Sequence, residues 1–558
     1  MKVVYLLSIL PFIGMLCFLP FVNRVEPFVF SMPFIMFWVA IWTVLTSVIL
    51  GIMYKLDPRN KEDGSKMNIA LLIILGFLLL AVFLGIRSTK GKKMDLEQWT
   101  VGGRGFGAIL VFLLMAGEIY TTFSFLGGSG WAYGKGAPAL YVLMYIALSY
   151  VLSYWLLPVI WKYAKENNLL SQSDFFVSKY RSPFLGVLVA LVGVIGMIPV
   201  IVVQLKGMGI IVSQASYGAI PMHTAVWLGA ISLTVYVMIS GVHGSAWIAI
   251  IKDIVMVGVI GFLGIYLPIH YYGGFQLMFE AVHTANPEFL KFPDQGLSVS
   301  WLISTVLLLV LGFYMWPQVF SSTYTAQNEK VFRKNAIISP LYTLMLLFVF
   351  FVGTAAILKV PGLEGEEVDL SLLRLSIDTF DPWVIGVIGG AGLLTALVPG
   401  SLLIMNTATL LSKNIYKVFV PSATDQTIGR LAKLLVPVVS LIAVYFTLNG
   451  GATLANIILM GYSLMTQLAP SLFFSLMKNN FITKYGAGAG IICGLATVAY
   501  ITVSHTTIAD VFPTFPQSLK DVNTGIIALV INCMVMVMVS MVTRKYKHGA
   551  SETIKSAK

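Results

Sequence analysis

The sequence predicts an all-α polytopic membrane protein of about fifteen spans. Three observations carry this: the 558-residue chain is 58% hydrophobic and 11% charged, its mean hydropathy is +0.88, and its apolar residues fall into runs able to cross roughly 30 Å of hydrocarbon as helix. A soluble domain has neither that composition nor those runs. A net charge of +12 would suggest nucleic acid in a soluble protein. Here the basic residues sit in short loops between apolar runs, where they set orientation, so the lipid bilayer is the expected partner and nucleic acid is not.

In chain order, the runs begin near Val3, Phe30, Asn68, Phe106, Ala137, Pro183, Thr224, Gly244, Val299, Ala336, Trp383, Ile428, Ala452, Gly486 and Gly525. The first follows Lys2 but has no small-residue cleavage site after it, so it reads as a retained span rather than a signal peptide. The breaker-rich linker Leu56–Lys66 marks a boundary. It divides a two-helix extension (residues 1–66) from a body (67–545), which ends in a tail (546–558). With the amino terminus outside and alternation thereafter, most of the 36 Lys and Arg fall in loops predicted cytoplasmic, including Arg544, Lys545 and Lys547 after the last span. The acidic loop with Glu364, Glu366, Glu367, Asp369, Asp378 and Asp381 falls outside, and both assignments obey the positive-inside rule. The linker fits less well, with Lys55, Arg59, Lys61 and Lys66 placed outside. This topology predicts a multi-pass protein of the plasma (cytoplasmic) membrane with a cytoplasmic carboxy terminus.

Within the body, spans four to eight (about 106–267) and nine to thirteen (about 299–477) form two sets. An odd number of spans per set makes the second enter the membrane from the opposite side. The first helix of each set is interrupted, by Gly117 and Gly127-Gly128-Ser129-Gly130 in one and by Gly312-Phe-Tyr314-Met-Trp316-Pro317-Gln318 in the other. Paired interrupted helices in corresponding positions point to a binding site near the midplane.

Charges inside spans sharpen that pointer. An ionised carboxylate at mid-helix costs roughly 2.5 to 3.5 kcal/mol even on lenient insertion scales, so Glu118 implies a function. Glu118 lies about 18 Å, and Lys252 about 12 Å, along their helices at 1.5 Å per residue. Lys252 and Asp253 are adjacent, about 100° apart on a helix, and are expected to face different partners. Lys206, in a span too long for the membrane, is expected to snorkel to the outer surface, with Gln204 beside it facing the site. The residues assigned to substrate binding are Glu118, Tyr120, Thr121, Thr122, Gln204, Tyr314, Trp316 and Gln467. Cys17, Cys493 and Cys533 lie in apolar runs without ligand spacing and read as packing residues. No cofactor is expected.

Several motifs resemble those of the sodium/solute symporter family over about residues 68–543. Glu97-Gln-Trp99-Thr-Val-Gly102-Gly103-Arg104 is similar to the entry of that family's first core helix, and Gly127-Gly-Ser-Gly130-Trp-Ala-Tyr133-Gly-Lys-Gly136 to its end. Trp316-Pro317-Gln318, the run Ser412–Lys417, Pro470–Leu476 and Gly486–Gly490 match later landmarks in order. The two added helices resemble a small companion membrane protein. The resemblance implies a five-plus-five inverted-repeat transporter core with flanking helices. It also implies a sodium ion held between main-chain carbonyls near Gly117 and Tyr120 and a hydroxyl pair on the eighth core helix. That pair falls at Val398-Pro399, which has no side-chain oxygen for a hard cation; Thr395 one turn earlier, or Ser401, would supply one. The family's hydroxyl-aspartate pair on the fifth core helix appears as Lys252-Asp253. Lys252 is therefore expected to take the place of a bound cation and carry a coupling proton with Asp253 or Glu118, so that the coupling ion is Na+ or H+.

The expected function is cation-coupled symport of a small polar organic solute, such as a monocarboxylate or amino acid, by alternating access. The anionic guess rests on half-helix amino termini, which favour a negative group. The alternative is a receptor or accessory subunit built on a transporter fold. An enzyme is not expected, since His-Glu-x-x-His, Walker and G-x-S-x-G motifs are all missing from the sequence.

Overall fold

Glycine, proline and loop polarity decide where each helix stops, and these stops position the site. The computed structural model describes residues 9–556 except positions 23, 25, 27–28, 30–32, 57–64 and 92–94. The start of the first run and most of the linker therefore lie outside the described residues. Among those described, no β-strand forms.

The extension supplies helical turns over Leu10–Val22 and helix α1 (Phe34–Leu56). They are pinned together where Trp38 Nε1 donates to the Gly14 carbonyl at 2.8 Å. Helix α2 (Ser65–Thr89) begins the body. The first set follows as α3 (Ala108–Gly117), a π turn (Phe123–Gly127) and α4 (Gly128–Lys135), then α5 (Tyr141–Glu166), short α6 (Gln172–Tyr180), α7 (Pro183–Ala215) and α8 (Met222–Tyr272). The second set repeats this order with α9 (Val299–Gly312), α10 (Pro317–Tyr324), α11 (Lys330–Thr343), α12 (Met345–Ala356), short α13 (Ser371–Thr379), α14 (Pro382–Thr409), α15 (Asp425–Asn449), α16 (Leu454–Met465) and α17 (Ala469–Leu476). Flanking helices α18 (Lys484–Ser504) and α19 (Thr524–Ser556) pack on each other.

At 51 residues, α8 would be about 77 Å long at 1.5 Å per residue, far more than one crossing needs. Gly241 divides it, with φ +53 and ψ −155, a conformation essentially reserved for glycine. A Cβ there would stand 2.4 Å from Trp99 Cδ1. Helix α8 thus supplies the two spans that the sequence places at Thr224 and Gly244.

The core centres on α14. It packs against α2, α7, α8 and α15, and 94% of the most apolar window of Pro382–Phe419 is buried, against 22% for Ile69–Thr89 at the periphery. Small residues make this possible. Gly386, Gly389 and Gly390 on α14 receive Ile73, Ile74 and Phe77 of α2 in place of their own side chains, the close-approach device of membrane helices.

Candidate functional site

The two interrupted helices build the site. In the first, α3 ends at Gly117 and regular hydrogen bonding resumes only where the Phe125 amide donates to the Thr121 carbonyl. In between, side chains satisfy the freed groups. Thr121 Oγ1 accepts from the Phe123 amide at 3.1 Å, and Gln204 Oε1 of α7 accepts from Thr122 Oγ1 at 2.9 Å and from its amide at 3.4 Å. In the second, α9 and α10 meet at a 52° bend, with Trp316 extended and Pro317 opening α10 where a missing N–H costs nothing.

Glu118 sits at the first break and faces a cavity of about 70 Å³. Met115, Thr121, Tyr145, Tyr150, Trp316, Gln318 and Tyr462 are among its walls. Ser322 Oγ donates to Glu118 Oε1 at 2.5 Å and so joins the two interrupted helices through one carboxylate. Glu118 Oε2 has no partner among the described residues. Aromatic edges complete the wall: Tyr462 meets Tyr145 at 5.6 Å and Trp316 at 5.2 Å between ring centroids, both edge-on.

Behind the break lies a buried cation. Lys252 is 0% exposed; its Nζ donates to the Tyr120 carbonyl at 3.3 Å and pairs with Asp253 Oδ1 at 2.8 Å. A methyl group on Gly117 would lie 3.4 Å from that Nζ and 3.2 Å from Val398 Cγ1. An ammonium and an isopropyl group thus converge where the family resemblance puts an ion. The adjacent Lys252 and Asp253, expected to face different partners, instead pair with each other, because the lysine's four-carbon arm spans the step between them.

The remaining site residues divide. Thr121 and Trp316 line the cavity, whereas Tyr120, Thr122 and Gln204 shape the break behind it. The Tyr120 hydroxyl donates to the Tyr342 carbonyl at 2.5 Å. Tyr314 is fully buried next to the second break. Gln467 corrects the sequence reading: it turns to the flanking helix α19, where Asn532 Nδ2 donates to its carbonyl at 2.7 Å and to its side chain at 3.1 Å. Thr395 and Ser401 direct their hydroxyl hydrogens within α14. The Thr395 hydroxyl donates to Gly392 O at 2.6 Å, and Ser401 bonds its own helix at Val398 O and Ser245 of α8. The carbonyl of Tyr120, read as part of a cation site with Gly117 and Thr395, receives the Lys252 ammonium. Ser322, Tyr145 and Tyr150 were not singled out by the sequence; Ser322 stands one helical turn after Gln318, on the same face.

Contacts close both ends of the core. On one side, Phe106 exchanges backbone hydrogen bonds with Thr325 and Gln327, and Asp174 of α6 binds Lys413 and Asn414. Burial opposes ionisation of Asp174, but the Lys413 charge and hydrogen bonds from Lys413, Leu170 and Asn414 outweigh it and hold the carboxyl below its usual range. On the other side Lys206 is not a free snorkelling lysine. It is 6% exposed, pairs with Glu366 at 2.5 Å and donates to Ala452 O at 2.8 Å. Nearby, Asp369 Oδ2 accepts from the Leu454 amide at the start of α16, at 2.9 Å.

Burial pushes Asp369 up to about 6, against the Leu454 hydrogen bond and the Lys206 charge and with the Glu366 charge. A water-exposed aspartate titrates near about 3.9. The closed contact therefore binds the proton more tightly than an opened one, so it is favoured as pH falls below about 6 and loses that support above it. Hydrogen exchange at the Leu454 amide, corrected for intrinsic rate, is expected to slow on acidification from about pH 7.5 to about pH 5. The dependence should vanish in Asp369→Asn; if it persists there, Asp369 is not its origin.

Paired interrupted helices around a cavity that holds a carboxylate are the architecture of a secondary transporter. The chain belongs to the sodium:solute symporter family, whose model matches residues 99–494. It is 63% identical over 486 residues to the "Uncharacterized symporter YhjB" of Bacillus subtilis (strain 168), covering 87% of this chain and 99% of that protein. The extension matches a protein of unknown function, DUF3311, over residues 6–66. It is 48% identical over 66 residues to the "Uncharacterized membrane protein YhjC" of the same organism, covering 12% of this chain and all of that one. Thus two chains that are separate there are continuous here. The fold is similar to that of a Na+-coupled sialic acid symporter in a substrate-bound outward-open state, with a TM-score of 0.71 at 14% identity over 85% of this chain and 97% of that one.

Proposed function

We propose that the protein imports a small polar organic solute, such as a monocarboxylate or amino acid, by alternating access, and that the coupling ion is a proton rather than sodium. It works in the plasma membrane with its acidic loop outside. The observation that carries the coupling is Lys252 Nζ at the Tyr120 carbonyl, with Asp253 as counter-ion. A fixed ammonium in that place does the work of a bound cation when protonated. Val398 removes one side-chain oxygen from the place where sodium would be held, and a hard cation needs several.

In this cycle the solute binds beside Glu118, and the contacts around Asp369 and Asp174 open alternately to the outside and the cytoplasm. Losing a proton from Lys252 weakens its hold on Tyr120 O and leaves a buried pair with a different charge, which biases the interrupted helix toward one face. Each elementary charge moving with the field contributes about 2.3 kcal/mol per 100 mV, roughly fiftyfold in accumulation at a tenfold per 1.4 kcal/mol.

Proteoliposomes given an inward proton gradient in sodium-free buffer test this with labelled L-alanine and L-lactate. Uphill uptake of one of them that collapses with a protonophore is expected. Uptake that needs sodium and ignores the proton gradient would contradict proton coupling. A purely downhill leak would favour the accessory reading.

A further inference from the structure

We propose that Glu118 is the docking group for an ammonium, and that the solute carried is a small amine, zwitterionic amino acids included, rather than a simple carboxylate. This rests on the transporter reading above and narrows its substrate class.

Charge comes first. The cavity wall includes Glu118 and no Lys, Arg or His. Lys252, the buried cation nearest in the fold, lies on the other side of the interrupted segment, and its ammonium is already held by Tyr120 O and Asp253. With that pair neutral, an ionised Glu118 is a surplus negative charge in a buried site, relieved either by keeping its proton or by a partner of opposite sign. The bound species that satisfies it is a cation.

Hydrogen-bonding capacity points the same way. Glu118 Oε2 and Gln318 Oε1 are both acceptors without partners among the described residues, and Gln318 is 7% exposed. An ammonium brings three donors. Ser322 already fixes Glu118 Oε1, so the carboxylate is held in one orientation with its second oxygen available. The rings of Tyr145, Tyr150, Trp316 and Tyr462 line the same cavity.

Several of the groups that would receive an anion are already engaged. A half-helix amino terminus binds a carboxylate through its free N–H groups. At the first break the Thr122 amide is taken by Gln204 and the Phe123 amide by Thr121. At the second, Pro317 has no N–H to offer and the Val319 amide is taken by the Trp316 carbonyl, which leaves the Gln318 amide. A carboxylate on the solute is therefore tolerated only at the end remote from Glu118. A space of about 70 Å³ holds roughly six waters at 10 to 15 Å³ each, which limits the solute to about the size of a small amino acid.

The test uses the full-length protein in lipid nanodiscs and matched probes. L-alanine and ethanolamine carry the ammonium; L-lactate and propionate do not. Thermal shift in sodium-free buffer is expected to show stabilisation by the amines and none by the acids. Glu118→Gln is expected to weaken amine binding by about a hundredfold, and Ser322→Ala by about tenfold. Because either substitution also changes the stability of the fold, inhibition of labelled uptake in wild-type proteoliposomes is the second readout, with ethanolamine expected to compete and propionate to be inert. Uphill uptake of lactate, unaffected by ethanolamine, would overturn the ammonium assignment and leave the transporter reading standing. Amine binding without uphill flux would sink the transporter reading and leave the assignment. A panel in which no amine binds counts against the assignment whatever the acids do.

Discussion

Lys252→Ala is expected to abolish uphill uptake and to lower the melting temperature sharply. The substitution leaves Asp253, itself 3% exposed, as a buried charge without its counter-ion, a loss of about 3 to 5 kcal/mol for a buried pair broken on one side. It also frees the Tyr120 carbonyl in the interrupted segment, so the shape of the break changes along with the charge. The second substitution separates the two effects. Lys252→Ala with Asp253→Ala removes both charges and should recover most of the lost stability while uptake stays downhill. If the double variant melts as low as the single one, Lys252 acts through packing rather than charge. If the single variant still concentrates solute, the ammonium is not the coupling group.

Gly353→Val is expected to be strongly disruptive although it lies away from the site. A Cβ at Gly353 of α12 would stand 2.2 Å from the Ser129 carbonyl oxygen and 2.8 Å from Ala132 Cβ of α4. The clash is with backbone, which cannot rotate away, so the two helices must separate. Overpacking of this kind costs typically about 1 to 3 kcal/mol and sometimes more. Because α4 is the far half of the first interrupted helix, its displacement also shifts the break that carries Glu118. Reduced yield of monodisperse protein and a lower melting temperature should follow, with Gly353→Ala milder. A variant that melts like the wild type would mean that the α4 and α12 contact is looser than the geometry requires.

The sequence made the class of fold and the location of the breaks legible because lipid leaves the chain few choices. An apolar run must be a helix, and a glycine cluster or a Trp-Pro pair inside one must interrupt it. The lone carboxylate of Glu118 and the Lys252-Asp253 pair stood out for the same reason. Facing was less legible. Gln467 satisfies Asn532 on a flanking helix, and a buried polar residue there looks the same in sequence as one turned to a substrate. Ser322 lies in Ser321-Ser322-Thr323, where the other two hydroxyls bond their own helix, and only the opposing Glu118 singles it out. The engaged amide at the first break was hidden as well, since Gln204 reaches Thr122 across 82 positions of chain. That long-range contact is what turns the anionic guess toward an amine.

Lumenal pH is the most direct check on coupling. Proteoliposomes loaded with a pH-sensitive dye, free of sodium and clamped at zero potential, receive external L-alanine. Acidification of the lumen in step with alanine entry is predicted for the wild type and not for Lys252→Ala. Alanine entry with no lumenal acidification, restored or enhanced only by sodium, would contradict a lysine standing in for the ion.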